Sequence, residues 1–533
     1  MKTTSTMSIR QKIGQLMMIG FKGKQITPSV TRMLEDEMVG GIILFPTNIG
    51  SPEEVLKLNE ELQHAAHKAA HPYPLIISTD QENGVVRRLK QGVTEFPGNM
   101  LLGAVDSAKA TMNVSRATAL ELKALGFNMN LAPDVDVNNN PHNPVIGVRS
   151  FGENSKDVAK HCKAFIQGHH DAGIMTTVKH FPGHGDTELD SHADLPVIQH
   201  SMKRLEQIEL LPFVEAIDTG TDSVMMSHIN FSSLEEQENI PASISEKVTT
   251  GLLRERLGFE GAIMTDCLEM NAIVKTIGTA EGALAALKAG SDLLMISHTN
   301  DLQMKAIDRI EKAVMDREIN EDVIDRSLNR VMELKKKYLS WNERTYGDGV
   351  PPFVGGEKHK KLAQGVFERG VTLVKNENLL PLKVDVESKI LVVTVKGQMQ
   401  SPVEGKREKT SFLGETIASH HYNIYEQEIS KSPENKEIEK VIVAANDADI
   451  VIFGSDYAYT NEGQAYLIRK LLEKQASVIV VAVGNPYDLA ELRNVPAYLA
   501  TYEYSKDALQ SAANIIFGTN TPMGKLPVTI PSL

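Results

Sequence analysis

The chain has 533 residues, 41% hydrophobic and 23% charged, a balance typical of soluble globular proteins and a length that calls for more than one core. Its 69 acidic against 56 basic residues leave a formal charge of −13. No lysine/arginine run offsets that charge, which argues against a nucleic-acid or anionic-membrane partner. Two cysteines, Cys162 and Cys267, cannot build a disulfide framework and suit a reducing compartment. The most apolar N-terminal piece, Leu16 to Phe21, is shorter than a signal-peptide core, and no run nears the roughly 18 apolar residues of a membrane span. A cytoplasmic protein is expected, unless an export signal has been removed.

Short β-type runs recur at Leu16–Phe21, Gly41–Phe45, Leu75–Ser78, Asn128–Ala132, Ile174–Val178, Ser223–Met226, Ala262–Thr265 and Leu293–Ile296. Helically spaced stretches separate them, at Pro52–Ala69, Ala108–Leu125, Val158–Ala172, Leu205–Ile217, Glu246–Leu257 and Thr279–Ala289, and a last one runs from about Glu321 to Tyr338. Eight alternations predict a (β/α)8 barrel over 1–340. The glycines and prolines of Ser340–Glu357 then read as a linker, placed at 341–365. Strand candidates at Ile390–Val395, Ile450–Phe453 and Val478–Val483, with helices near Gln464–Glu473 and Lys506–Phe517, predict an α/β sandwich on a largely parallel sheet over 366–533.

A barrel places its active site at the C-terminal ends of its strands. The polar residues just past the apolar runs are Asp80, Asp134, Asp136, Lys179, His180, His228, Asp266 and His298. Any one of them could be an ordinary loop polar group, but together they aim carboxylates and imidazoles at one mouth. Asp266 ends its strand and reads as a nucleophile, a metal ligand or a cap for the next helix. The densest cluster is Val178–Pro196. Asp190 and His192, two apart, suit a general acid whose ring a carboxylate orients, or equally a loop locked by its own Asp–His bond. His180, His184, Asp186, Asp190, His192 and Asp194 also offer metal ligands, though at no compact metal-motif spacing. Asp80 with Arg88, and Arg149, could form forks for sugar hydroxyls or simple ion pairs.

These residues carry a resemblance. The loop Lys179-His180-Phe181-Pro182-Gly183-His184-Gly185-Asp186-Thr187, with Asp190-Ser191-His192 and Leu195-Pro196, resembles the signature of glycoside hydrolase family 3 in its bacterial β-N-acetylhexosaminidase branch. The Asp80-Gln81-Glu82 segment with Arg88, the Arg149-Ser150-Phe151-Gly152 turn, Thr265-Asp266 with Met270, and the closing Gly524-Lys525-Leu526-Pro527-Val528 match in order. The resemblance implies a retaining, exo-acting β-N-acetylglucosaminidase that acts on cell-wall muropeptides, as in peptidoglycan recycling, or on chitin-type oligosaccharides. Asp266 would be the nucleophile, with His192 and Asp190 as acid/base dyad. Asp80, Arg88, Arg149, Lys179 and His180 would hold the N-acetylglucosamine ring, with no metal or cofactor.

A histidine acid does not repel an incoming anion, so a phosphorylase on the same scaffold is the first alternative, and a metal-dependent hydrolase using the His/Asp loop the second. Gly183 and Gly185 read as the base of a movable arm carrying Asp190 and His192. Four positions depart from the pattern: Asn83 stands where glycine is usual, Val85 where arginine is common, Val148 where a polar residue is frequent, and Cys267 where a second aspartate is typical. Glu462 stands in a segment that supplies the acid/base in the family's β-glucosidases and would compete with His192 if it reached the mouth.

Overall fold

The computed structural model describes residues 6–188, 195–342, 349–397, 404, 411–474 and 477–531. Eight parallel strands form the first sheet: β1 (Met17–Ile19), β2 (Gly41–Ile43), β3 (Ile76–Thr79), β4 (Met129–Asn130), β5 (Met175–Phe181), β6 (Ser223–Met226), β7 (Ala262–Thr265) and β8 (Leu294–Ile296). The hydrogen-bonded order is β8-β1-β2-β3-β4-β5-β6-β7, and a Met264–Leu293 bridge returns β7 to β8. That bridge closes the expected barrel. All eight predicted runs are strands: β6 and β7 have the expected bounds, β3 is shifted by one residue, β1, β2, β4 and β8 are shorter, and β5 continues through Lys179 and His180 to Phe181.

Local chemistry explains the helices between them. Ser51 caps Pro52–Lys68 in a reciprocal pair with Glu54, Pro52 takes the first turn, and Val55, Leu58, Leu62 and Ala66 form the buried stripe. Asn154 caps Ser155–Ala172, which stops at Gly173 in the left-handed conformation. The helix predicted at Glu246–Leu257 is present as Lys247–Arg256 but is wound more widely, with the Leu257 amide donating to Leu252 O. The stretch 341–365 contains the first turns of a further helix, Glu357–Gly370, whose His359 packs against the barrel by a 2.7 Å contact with Glu121.

The second sheet has the order β9-β14-β13-β12-β10-β11: β9 (Thr372–Asn376), β10 (Ile390–Val395), β11 (Ile424–Ile429), β12 (Ile450–Ser455), β13 (Val478–Ala482) and β14 (Ala497–Ala500). All pairs are parallel except β9 with β14. Apolar clusters on both of its faces, one under the helix Glu462–Lys474 and the other under Lys506–Ile516, make it the expected α/β sandwich. A further core joins the two sheets' territories: Phe96, Met100 and Phe151 from the barrel side pack with Phe367, Tyr487, Tyr502 and Val528.

Candidate active site

The strand ends build the site from the bottom up. A cavity of about 360 Å³ opens there, lined by Asp80, Glu82 and Arg88 after β3, Arg149 after β4, Lys179 and His180 from β5, His184 after it, Asp266, Cys267 and Glu269 after β7, and His298 after β8. Its volume lies at the small end of ligand pockets, roughly 300–1,000 Å³.

The floor is an ion-pair lattice. Glu82 is 2% exposed and accepts from Arg149 Nε and Nη2, each at 2.9 Å, in a two-pronged fork. Lys179 Nζ lies 2.7 Å from Glu82 Oε1 and 2.8 Å from Asp80 Oδ1, and Arg88 Nη2 is 3.6 Å from Asp80 Oδ2. Burial alone would raise the Glu82 carboxyl, but Arg149 and Lys179 outweigh it and hold the group well below the usual carboxylate range. Burial likewise works against the Lys179 charge, and Asp80 and Glu82 more than restore it. These are not solvated loop ion pairs. They fix Arg149 and Lys179 as cations with defined directions at the edge of the cavity.

His180 stands on a second tier. Its Nδ1–H donates to Asp136 Oδ2 at 2.7 Å, which leaves Nε2 to accept from Arg149 Nη2 at 3.4 Å. Burial first, then Arg149, pushes His180 down to about 4, so the ring is neutral at pH 7. Asp134 and Asp136 lie fully buried behind it rather than in the mouth. Both are raised by burial, Asp134 to about 7 with Asp136 adding to the shift.

Asp266 ends β7 as expected, and its Oδ1 accepts from the Cys267 amide at 2.7 Å. It does not cap the following helix, Asn271–Val274, whose N-cap is Met270. His228 departs from the expectation. It is buried behind the wall, with Nε2 3.0 Å from the Cys267 carbonyl and Nδ1 2.7 Å from Ser243 Oγ, and supports the β7 loop without lining the cavity.

The loop after β5 corrects the hinge reading. A Cβ on Gly185 would meet Val137 O at 1.7 Å, so this glycine permits close packing, not motion. The His184 amide donates to Asp136 Oδ1 at 2.6 Å, and Asn143 Nδ2 donates to the His184 and Gly185 carbonyls at 2.8 and 3.0 Å. The chain is therefore anchored through Thr187, whose Oγ1 lies 2.9 Å from His184 Nδ1. Asp190, His192 and Asp194 lie outside the described residues.

The ligand set proposed from the loop's composition does not converge among the described residues. Asp186 turns away to His200, 2.7 Å distant, while His180 Nδ1 faces Asp136 and His184 Nδ1 lies 2.9 Å from Thr187 Oγ1. Two other groups of metal-type donors do lie close together, Asp134–Asp136–His180 and Cys267–Glu269–His298. The first already faces a cation, Arg149 Nη2 at 3.3 Å from Asp134. In the second, His298 is pushed up to about 10 by Cys267 first and Glu269 second. Glu462 is exposed, pairs with Arg469 and is absent from the cavity lining.

Reasoning from sequence passed over Glu82 and Glu269 as individual site residues. Glu82 sits two residues past Asp80, where a face-alternation argument could have found it. The Asn83 departure has a physical account: its φ is +72°, a left-handed position that asparagine tolerates where glycine is otherwise favoured.

The model of the glycosyl hydrolase family 3 N-terminal domain matches residues 8–334, and that of the family's C-terminal domain matches 371–533. The chain is 29% identical over 550 aligned positions to beta-hexosaminidase A of Pseudoalteromonas piscicida, covering 95% of this chain and 91% of that protein. It is 34% identical to a beta-hexosaminidase of Xylella fastidiosa (strain M23) over 53% of this chain and 83% of that one. Among solved structures, a glycoside hydrolase family 3 beta-N-acetylglucosaminidase from Paenibacillus sp. str. FPU-7 superposes with a TM-score of 0.92 at 38% identity, covering 98% of this chain and 99% of the other. With both domains matched in order and the strand-end pocket in place, the chain belongs to glycosyl hydrolase family 3.

Proposed function

We propose that the protein is an exo-acting, retaining β-N-acetylglucosaminidase that removes non-reducing terminal N-acetylglucosamine from cell-wall muropeptides or chitin-type oligosaccharides. The observation that carries the reading is the placement of Asp266 in one small cavity with Asp80, Arg88, Arg149, Lys179 and His180. The beta-hexosaminidase relatives and the beta-N-acetylglucosaminidase neighbour support the sugar class.

In this reading the lattice under Glu82 and Asp80 presents fixed donors and acceptors to the ring hydroxyls and excludes water. Asp266 attacks the anomeric carbon as the glycosidic bond breaks, giving a glycosyl-enzyme ester. His192, oriented by Asp190, gives its proton to the departing oxygen and later takes one from the water that hydrolyses the ester. A histidine serves near neutral pH without the raised carboxyl that such enzymes otherwise need.

The test is hydrolysis of a chromogenic β-N-acetylglucosaminide, with the first-formed sugar read by NMR. Expected are release of the β-anomer first and a loss of more than about a thousandfold in Asp266→Ala. His192→Ala should recover on a substrate whose leaving group needs no protonation. Inversion, or full activity in Asp266→Ala, would overturn the mechanism. A sugar phosphate formed in phosphate buffer would assign a phosphorylase instead, and loss of turnover on adding chelator a metal-dependent hydrolase.

A further inference from the structure

Cys267, one of the departures from the family pattern, is not an isolated thiol. It faces Glu269 two residues on and His298 from the end of β8. Glu269 Oε2 is 4.0 Å from Cys267 Sγ and 3.6 Å from His298 Nδ1, and the three donor atoms lie within 4.8 Å of one another. A tetrahedral zinc ion, with bonds of roughly 2.0 Å to nitrogen or oxygen and about 2.3 Å to sulfur, holds such atoms roughly 3.3–3.5 Å apart. His298 is more than half exposed, so its ring has room to close the remaining distance.

The surroundings already hold these donors in position. The His298 amide donates to Glu269 Oε2 at 2.6 Å, which ties the β7 and β8 loops together. His228 anchors the Cys267 carbonyl at 3.0 Å from behind. Ser297 Oγ lies between two of the donors, 2.8 Å from Sγ and 3.0 Å from His298 Nδ1. All four side chains line the cavity, so a fourth coordination position would open onto it. The mix of thiol, imidazole and carboxylate selects a borderline cation over magnesium or calcium.

We infer that Cys267, Glu269 and His298 form a three-ligand site for a borderline divalent cation such as Zn2+, set in the cavity wall beside Asp266. The inference does not depend on the glycosidase reading. On binding, Cys267 Sγ and the His298 ring each form a bond to the metal and the protons they carry leave to solvent, so uptake strengthens as pH rises. An ion held there narrows the cavity next to Asp266, so Zn2+ lowers turnover and a chelator restores it.

The experiment titrates the full chain, stripped with chelator and dialysed, with Co2+. Expected is one equivalent bound, with a near-ultraviolet thiolate-to-cobalt charge-transfer band that Zn2+ abolishes. The band should vanish in Cys267→Ser, persist in Cys162→Ser, and require at least tenfold more Co2+ in His298→Ala and in Glu269→Gln. Circular-dichroism melts establish that each variant is folded. Cobalt bound without a thiolate band, a band that survives Cys267→Ser, or no cobalt bound at all would overturn the inference.

Discussion

Glu82→Gln is the sharpest single perturbation of the floor. The substitution keeps the shape and removes one charge. Its amide nitrogen then faces donors, because the native carboxylate accepts from Arg149 Nε and Nη2 and from Lys179 Nζ. Each charge-assisted bond contributes about 1.5–3 kcal/mol, and removing one partner of a buried pair costs about 3–5 kcal/mol, since the surviving cations stay buried without their counter-charge. We therefore expect the unfolding free energy to fall by about 3–5 kcal/mol in urea titrations at pH 7. Loss of direction at Arg149 and Lys179 should also lower kcat/KM on a chromogenic N-acetylglucosaminide by about a hundredfold. The pH dependence carries a sign. Because the folded carboxyl is depressed, its contribution is complete above the unfolded value of about 4.3 and is lost as pH falls through the lower folded value, so the variant loses part of the wild-type acid limb. Combining Glu82→Gln with Arg149→Met should cost less than the sum of the two single changes by at least about 2 kcal/mol. A Glu82→Gln protein within about 1 kcal/mol and twofold in kcat/KM of wild type would refute the lattice as the organiser of the site.

Three further outcomes are expected. Glu503, buried where the domains meet and accepting from the Gly98 amide at 2.8 Å, is raised to about 7 by burial. Its contribution is present below the unfolded value and is lost as pH rises toward 7, so Glu503→Gln should flatten stability between about pH 4.5 and 7 and gain on the order of 3 kcal/mol at pH 8 by thermal or urea unfolding. Gly185→Ala should destabilise by at least about 2 kcal/mol and depress turnover, since its methyl meets Val137 O; wild-type melting would refute the packed-loop description. Asn143→Ala removes donors from the His184 and Gly185 carbonyls and an acceptor from the Val145 and Ile146 amides, and should cost about 2–3 kcal/mol, seen as a lower urea midpoint.

The barrel was legible because each of its strands is a short apolar run fully buried on both faces, flanked by helices with clear periodicity. The second sheet was half legible for the same reason reversed. Of its interior strands, β10, β12 and β13 are continuous apolar runs, while buried β14, only Ala497-Tyr498-Leu499-Ala500, was too short to be read. At the edges, β11 alternates Ile424-Tyr425-Glu426-Gln427-Glu428-Ile429 and β9 carries Lys375 and Asn376. Such edges are half solvated and look like loop. At the site, position along a strand identified Asp80, Lys179, His180 and Asp266. Position could not separate the cavity-facing His298 from His228, which the fold turns inward toward Ser243. Gly185 was misread because glycine permits two things, freedom and closeness, and only the neighbouring Val137 carbonyl decides between them.

The seam between the domains has a consequence for how the molecule comes apart. Glu503 accepts from Gly98, Asn138 Nδ2 donates to Tyr487 Oη at 2.8 Å, the Glu153 amide donates to Pro527 O, and the Lys525 amide donates to Ala104 O. These bonds attach the second sheet to the segments after β3 and β4 that carry Arg88 and Arg149, across an apolar core drawn from both sides. Heating then has no cheap place to begin. The second sheet cannot melt without stripping Tyr487 and Tyr502 from that shared core and loosening the loops around the sugar site, so unfolding should be one cooperative event and activity should disappear along the same curve.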